Sequence, residues 1–367
     1  MKILHVSGAG SWGGNEQQLV TIVPEMNKLN VKNIVFCVKD SVLHKKCEEL
    51  NIETIATKNN KLNKFENYRY LKQLVKTVKP DLIHLHTSDS LTVFTISDLL
   101  FSLKVKAVFS KKGMGSASSI LSKFKYNYKN IAALACVSER VKRDFAKILT
   151  PVNQAKEVVV HDCVAFSILN EPPLPINLKE QYGLAGKYIV GNIANHTMAK
   201  DLFTLVEVAN HIVNTLGRKD VAFVQIGEHK KLTPDILALV KERNLDQYFT
   251  FTGKMSNAYN LNLQFDCFLM TSEREGGPTS VLEAMLMRTP VVSTNVGIVP
   301  EVIANGVNGF ISDVKDHESL AVNVLTVLDN KELQDTFTDI SYNTIAQNYT
   351  SEMIAKRTVA LYQQILK

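Results

Sequence analysis

The feature that most constrains this chain is its rhythm: short apolar runs alternate with stretches of helical periodicity almost from end to end. KILHV, NIVFCV, IETIA, DLIHLH, VKAVF, LACVS and VVVH read as strands. Helical spacing separates them at Glu16 to Leu29, Leu43 to Leu50, Tyr68 to Thr77 and after Ser138. Parallel strands need crossovers, so this order predicts a doubly wound parallel sheet, an α/β fold. The rhythm breaks at NEPPLPINL, where three prolines in four residues favour extended chain. It resumes through KYIVGNIA, a helix from Asp201, DVAFVQIG, a helix near Pro234 to Arg243, YFTFTG, FDCFLMTS, a helix from Thr279, and PVVST. We therefore expect two Rossmann-like domains, residues 1–168 and 169–349. The tail 350–367 is a helix by the spacing of Ile354, Val359, Leu361, Tyr362 and Ile365, and the pattern alone names no docking partner for it. Such sheets bind ligands at their strand C-terminal ends, so two in series predict a cleft.

A length of 367 residues, 45% apolar and 21% charged, fits two cores rather than one. The start, MKILHVS, enters a strand directly, without the series of a signal peptide, and no apolar run approaches the ~18 residues of a membrane span. The expectation is a soluble cytoplasmic protein, at most peripheral on the inner face of the membrane. The five cysteines form no CxxC pair and read as buried thiols. Charge is uneven: Met1 to Ser167 holds 25 Lys plus Arg against 14 Asp plus Glu, a balance of +11, leaving 17 against 22, or −5, for the rest.

Two segments carry chemistry. The first, Gly8-Ala-Gly-Ser-Trp-Gly13-Gly14-Asn-Glu16, contains GxGxxG before a helix. A nicotinamide reading also needs an acidic residue closing the second strand, and Asp40 comes late, after Lys39. Gly13 and Gly14 more safely offer backbone amides to a phosphate or sugar; the bland alternative is a tight turn needing positive φ. The second runs Glu275-Gly276-Gly277-Pro278-Thr279-Ser280-Val-Leu-Glu283-Ala-Met after an apolar strand. The two glycines bare the backbone, Pro278 suits a helix start, and the Thr279 and Ser280 amides suit phosphate oxygens. Glu283, one turn into the helix, can accept two hydrogen bonds from ribose hydroxyls, although a Glu there is also an ordinary partner of the helix dipole.

Glu275, seven residues, Glu283, with LEAM and then PVVSTNVGIVPEVIANGVNGFI, resembles the signature of the family 4 retaining glycosyltransferases of GT-B architecture. The glycine loop, PDLIHLHTSD, ACVSERV and the Lys-Asp before a helix extend the resemblance over nearly the whole chain. It implies a nucleotide-sugar donor held mainly by the C-terminal domain, the acceptor mainly by the N-terminal one, and a final helix returning to the first domain. By motif, Glu283 resembles the ribose ligand, Glu275 the carboxylate beside the donor sugar, Gly276 and Gly277 backbone contacts to sugar hydroxyls, and Gly13 and Gly14 the loop facing the diphosphate.

The departing diphosphate needs a metal ion or fixed cations. The chain has no Asp-x-Asp, which fits metal-independent transfer with no cofactor, and Lys200 stands just before the helix from Asp201, whose N-terminus can act with it. Where the family usually has an Arg, this chain has Asn195, which keeps a donor but loses the charge and the bidentate fork. Arg274 is a candidate substitute, and His196 a weak neighbour. His84 and His86 close DLIHLH on one face of the sheet; a paired metal site there lacks further ligands in the pattern, and the resemblance makes His86, backed by Ser88 and Asp89, a candidate toward donor sugar or acceptor.

Lys104, Lys106, Lys111, Lys112, Lys123, Lys125 and Lys129 run beside Phe124, Tyr126 and Tyr128. This is a solvated face or an attraction to anionic membrane; no nucleic-acid motif is present. The sequence thus predicts retaining transfer of a hexose-type unit from a UDP-sugar, ahead of a GDP-sugar, to a glycan or lipid-linked acceptor. An epimerase or phosphorylase of the same fold, or a catalytically weak nucleotide-sugar binder, is the alternative.

Overall fold

The computed structural model describes residues 1–113 and 119–367 and divides them into two compact units, Met1–Ala165 with Thr350–Lys367, and Phe166–Tyr349. The first holds strands β1 (Lys2–Ser7), β2 (Lys32–Cys37), β3 (Thr54–Ala56), β4 (Leu82–Leu85), β5 (Lys106–Lys111), β6 (Ile131–Cys136) and β7 (Glu157–Val159). They form one parallel sheet in the order β3-β2-β1-β4-β5-β6-β7. Alternate residues supply its two faces: Ile3, Val35, Leu82 and Val108 fill one, Leu4, Ile34, Ile83 and Phe109 the other. The helix Ser351–Leu366 packs on the first of these faces beside the helix Gly14–Lys28, burying Ala355, Val359 and Tyr362 with Leu19, Val23 and Met26.

The second unit holds β8 (Tyr188–Ile193), β9 (Val221–Ile226), β10 (Phe249–Gly253), β11 (Cys267–Met270), β12 (Val291–Thr294) and β13 (Phe310–Ser312), a parallel sheet in the order β10-β9-β8-β11-β12-β13. Val190, Phe223, Leu269 and Val292 meet Leu205, Val208 and Leu320 from the flanking helices in its core. At Gly191, in β8, a Cβ would stand 2.1 Å from the Phe265 ring, so that position is closed to any side chain.

Strand order positions the sites. In each unit the chain builds outward in one direction and then starts again from the middle, between β1 and β4 in the first sheet and between β8 and β11 in the second. The loops leaving such a pair diverge to opposite faces and open a crevice. The glycine loop and His86 leave β1 and β4; Lys200 and Glu275 leave β8 and β11. All five cysteines are buried.

Candidate active site

In the second unit, β11 gives way to Thr271, whose hydroxyl donates to the Asp201 carbonyl at 3.0 Å, and the Glu273 amide donates to the Ala199 carbonyl at 2.9 Å. These bonds tie the Glu275 loop to the Lys200 loop of the neighbouring strand. Lys200 Nζ then donates to Glu275 Oε1 at 2.5 Å, and Ser272 Oγ donates to the same oxygen at 2.9 Å. The pair is half-buried, with Lys200 26% and Glu275 13% exposed at the side chain, so neither charge is isolated in low dielectric.

The helix Thr279–Leu286 starts at Pro278 with no side chain capping it. A helix start in this condition presents its first amides and positive dipole end to whatever occupies the crevice. Gly276 and Gly277 precede it. Gly297 closes the loop from behind, at φ +53°, with a built Cβ 2.5 Å from the Gly276 carbonyl oxygen and 2.8 Å from that of Glu275. The sequence reading passed over this glycine; its signal was the Gly in STNVGIVPE, whose need for backbone contact shows only once β12 is placed beside β11. Thr294 Oγ1 donates to the Ser272 carbonyl at 2.7 Å and adds a further tie.

Glu283 lies partly buried one turn into that helix. Burial pushes its carboxyl up to about 7, with Lys200 pulling the other way. The nearby Tyr259 is raised by burial and donates its hydroxyl to Glu171. Lys200 therefore faces two acids, one bonded to it and one sensed through space.

The groups around Lys200 differ in how they are held. The helix Leu202–Asn210 is capped by Asp201, whose carboxylate accepts from the Thr204 amide and hydroxyl, so that one first-turn amide is already bonded within the chain. Asn195 spends its side-chain oxygen on the Glu228 amide at 2.8 Å, bracing the loop after β9. Arg274 is exposed, and its amide donates to the Ala199 carbonyl at 3.2 Å. His196 is buried between Thr233 and Gln225, each 2.8 Å away, a structural role.

In the first unit, the glycine loop is not a positive-φ turn: Gly8, Gly10, Gly13 and Gly14 are absent from the left-handed region, and Gly13 is extended at φ −158°. Gly8 is required by space, since a Cβ would sit 2.9 Å from that of Asp89. Glu16 folds back on the helix start, its carboxyl raised by burial and partly restored by the backbone amides of Glu16 and Gly13. The Gly13 amide thus already has an internal partner in the Glu16 carboxyl.

His84 and His86 are joined by His5 of β1, which pairs with His84 across the sheet. His5 Nδ1 lies 2.9 Å from His86 Nε2, and His5 Nε2 lies 2.9 Å from Asn33 Oδ1. Burial drops His5 to about 4 and pushes His84 and His86 well below the ordinary range, so all three are neutral. Asn33 turns its NH2 to the Val31 carbonyl and the Asn27 side-chain oxygen, which leaves Oδ1 for the ring. His5 must then carry its proton on Nε2, accept at Nδ1, and receive the Nε2 proton of His86. The lone pair of His86 is left on Nδ1. His84 is held between Tyr362 OH, at 2.5 Å, and Ser110 Oγ, at 2.8 Å. The third histidine missing from the sequence pattern is present, but His5 and His84 have both ring nitrogens committed to hydrogen bonds, so the trio forms a bonded network rather than an open ligand set.

The aromatic interleaving of the basic segment also changes: Tyr126 and Tyr128 are core residues, 8% and 5% exposed, whereas Phe124 is 52% exposed. No helix among the described residues is long and apolar enough to cross a membrane.

Two sequence families match this chain, "Glycosyl transferases group 1" over residues 176–344 and "Glycosyltransferase Family 4" over residues 12–165. The chain is 28% identical over 191 residues to an N-acetyl-alpha-D-glucosaminyl L-malate synthase of Bacillus anthracis, covering 52% of this chain and 49% of that one. It is 26% identical over 177 residues to a poly(ribitol-phosphate) alpha-N-acetylglucosaminyltransferase of Staphylococcus aureus, covering 47% and 35% respectively. The matches span half or less of the length of these curated relatives. Among solved structures, Anabaena HepE in complex with UDP-glucose superposes with a TM-score of 0.84 at 19% identity, covering 99% of this chain and 100% of that one; at such identity the fold is what is shared.

Proposed function

Since this chain belongs to glycosyltransferase family 4, its two units being the Rossmann-like units of GT-B enzymes, we propose that it is a metal-independent retaining hexosyltransferase. The donor is a nucleotide-sugar, UDP-linked in preference to GDP-linked, in keeping with the UDP-glucose held by the HepE structure. The acceptor is a hydroxyl of a glycan or glycolipid of the cell-surface polysaccharide or lipopolysaccharide type; the Staphylococcus aureus relative is named for transfer to poly(ribitol-phosphate). A contact between the basic first unit and an anionic membrane surface is part of this reading.

The observation that carries it is the grouping of Lys200, Glu275 and Glu283 beside an uncapped helix start where the second sheet changes direction. Breaking the bond from sugar C1 to the diphosphate oxygen loads negative charge on the leaving group. Lys200 and the amides of Gly276, Gly277, Thr279 and Ser280 are the fixed donors that meet that charge, with no reorganisation at the moment of reaction. Glu283 accepts the ribose hydroxyls and Glu275, steadied by Lys200 and Ser272, the sugar hydroxyls. In the first unit, the Gly13 and Gly14 loop offers backbone amides to a phosphate in competition with Glu16, and His86 offers Nδ1 to a hydroxyl of donor sugar or acceptor. The acceptor oxygen bonds to C1 on the face the diphosphate leaves, through an oxocarbenium-like state, and its proton passes to the departing diphosphate. Asn195, tied to Glu228, contributes no charge, so Lys200 carries more of the neutralisation than in a site with an Arg at that position.

A nucleotide-sugar panel screened by thermal shift identifies the donor, because a ligand specific for the folded state raises its stability by mass action. Product analysis with acceptor present then tests the reaction. Sugar isomerised or phosphate consumed with no acceptor elongated assigns the chain to epimerase or phosphorylase chemistry instead, and donor binding without hydrolysis or transfer makes it a binding protein.

A further inference from the structure

The helix Ile120–Tyr126 turns its apolar side outward. Ile120 is 86% exposed and Leu121 78%, the highest values among the large apolar side chains described, and Phe124 follows at 52%. Four residues separate Ile120 from Phe124, so they share one side, with Leu121 beside them; Tyr126, on the opposite side, is the residue the helix buries. Lys123 and Lys125 project on the two flanks of the apolar side. Lys125 reaches back to the Ser88 hydroxyl at 2.7 Å and the Thr92 hydroxyl at 3.0 Å, which anchors the helix, while Lys123 is exposed. A single exposed Leu or Ile needs no explanation, but three neighbouring apolar side chains flanked by lysines do.

The surroundings decide what covers them. From Leu99 to Ser138 the sequence contains no Asp or Glu, and Lys104, Lys106, Lys123 and Lys129 in this stretch are exposed. Asp89 is an exposed acid near Lys125, and the remaining charges on the helix and on the exposed stretch around it in sequence are lysines. Three exposed apolar side chains in a lysine-rich setting complement acyl chains beneath anionic headgroups: the apolar tips enter the boundary, and long lysine stems let the ammonium groups stay at headgroup level. We infer that Ile120, Leu121 and Phe124 form a membrane-inserting wedge by which the first unit docks on an anionic lipid surface. This takes up the membrane contact proposed above and fixes its place.

The test uses the full chain and sedimentation with vesicles of phosphatidylcholine alone or of equal parts phosphatidylcholine and phosphatidylglycerol. The native protein sediments with the mixed vesicles and much less with the neutral ones. Ile120→Ser with Leu121→Ser lowers partitioning roughly tenfold or more, and Lys123→Gln with Lys129→Gln about fivefold with a weaker salt dependence. Melting temperature and turnover with a water-soluble acceptor analogue stay at the native level, because these side chains project into solvent. Native partitioning by the Ile120, Leu121 variant overturns the wedge while leaving a membrane contact elsewhere; no sedimentation of the native protein with either vesicle overturns the membrane contact itself. A native dimer that becomes monomeric in the variant, with unchanged vesicle binding, assigns the patch to a second copy of the chain and likewise overturns the inference. Loss of turnover on the soluble acceptor in the native protein bears on the transferase reading alone.

Discussion

Glu283 should make the empty protein less stable in proportion as it serves the ligand. Burial lifts its carboxyl from an ordinary 4.5 to about 7. At roughly 1.4 kcal/mol per tenfold change in proton affinity, that displacement corresponds to about 3 kcal/mol, an upper figure because the side chain keeps some access to solvent. The folded state binds this proton more tightly than the unfolded chain, so the stabilisation from the neutral carboxyl is complete below about pH 4.5 and is lost as pH rises through about 7. Glu283→Gln imitates the neutral form at every pH. In urea unfolding it should match the native protein near pH 5 and exceed it by up to about 3 kcal/mol near pH 8, with the native curve falling between. The same variant should bind the donor nucleotide roughly tenfold or more weakly at pH 8, since an amide accepts fewer hydroxyl hydrogen bonds than a carboxylate. Calorimetry of donor binding to the native protein near pH 6.5, in two buffers of different ionisation enthalpy, should show proton release. Equal stability of native and Gln proteins at pH 8, or equal donor affinity, refutes the argument.

Lys200→Ala should cut turnover by about two to three orders of magnitude with a smaller change in donor affinity, measured by steady-state kinetics beside calorimetry; near-native turnover removes Lys200 from the leaving-group role. Gly297→Ala places a methyl against the Gly276 and Glu275 carbonyls at φ +53°, where the left-handed backbone alone costs about 1–2 kcal/mol; donor affinity should fall roughly tenfold while melting drops only a few degrees. Asn33→Ala frees His5 to change tautomer, so nitrogen-15 shifts of the His86 ring, fixed as Nε2–H in the native protein, should move toward a mixture, and turnover should fall severalfold if Nδ1 is the working atom.

The α/β class and every strand but β13 were legible because buried parallel strands leave short apolar runs that punctuation separates cleanly. The helix Ser88–Phe101 was not, since it buries residues around most of its circumference and so lacks a one-sided stripe. The Glu275 to Glu283 segment announced itself because glycine, proline and carboxylate each have a spacing that matters. Who bonds to whom did not: the Lys200–Glu275 bond spans 75 positions, and His5 joins His86 across 81. Such partners depend on strand order, to which periodicity is blind. For the same reason Asp201 and Glu16 could be read as bystanders, although each carboxyl bonds to backbone amides at a helix start.

The tail helix sets the order of assembly. Tyr362 lies 278 positions from the His84 ring it holds, and Ala355 and Val359 complete the face that the helix Gly14–Lys28 begins. During synthesis the second unit, continuous from Phe166 to Tyr349, has its whole sequence outside the ribosome before the first unit has its last helix. The unit translated first is therefore the one finished last, waiting with Leu19, Val23 and Met26 uncovered. A nascent chain arrested before Thr350 should thus bind a chaperone through its N-terminal half, and a separately supplied tail peptide should release it.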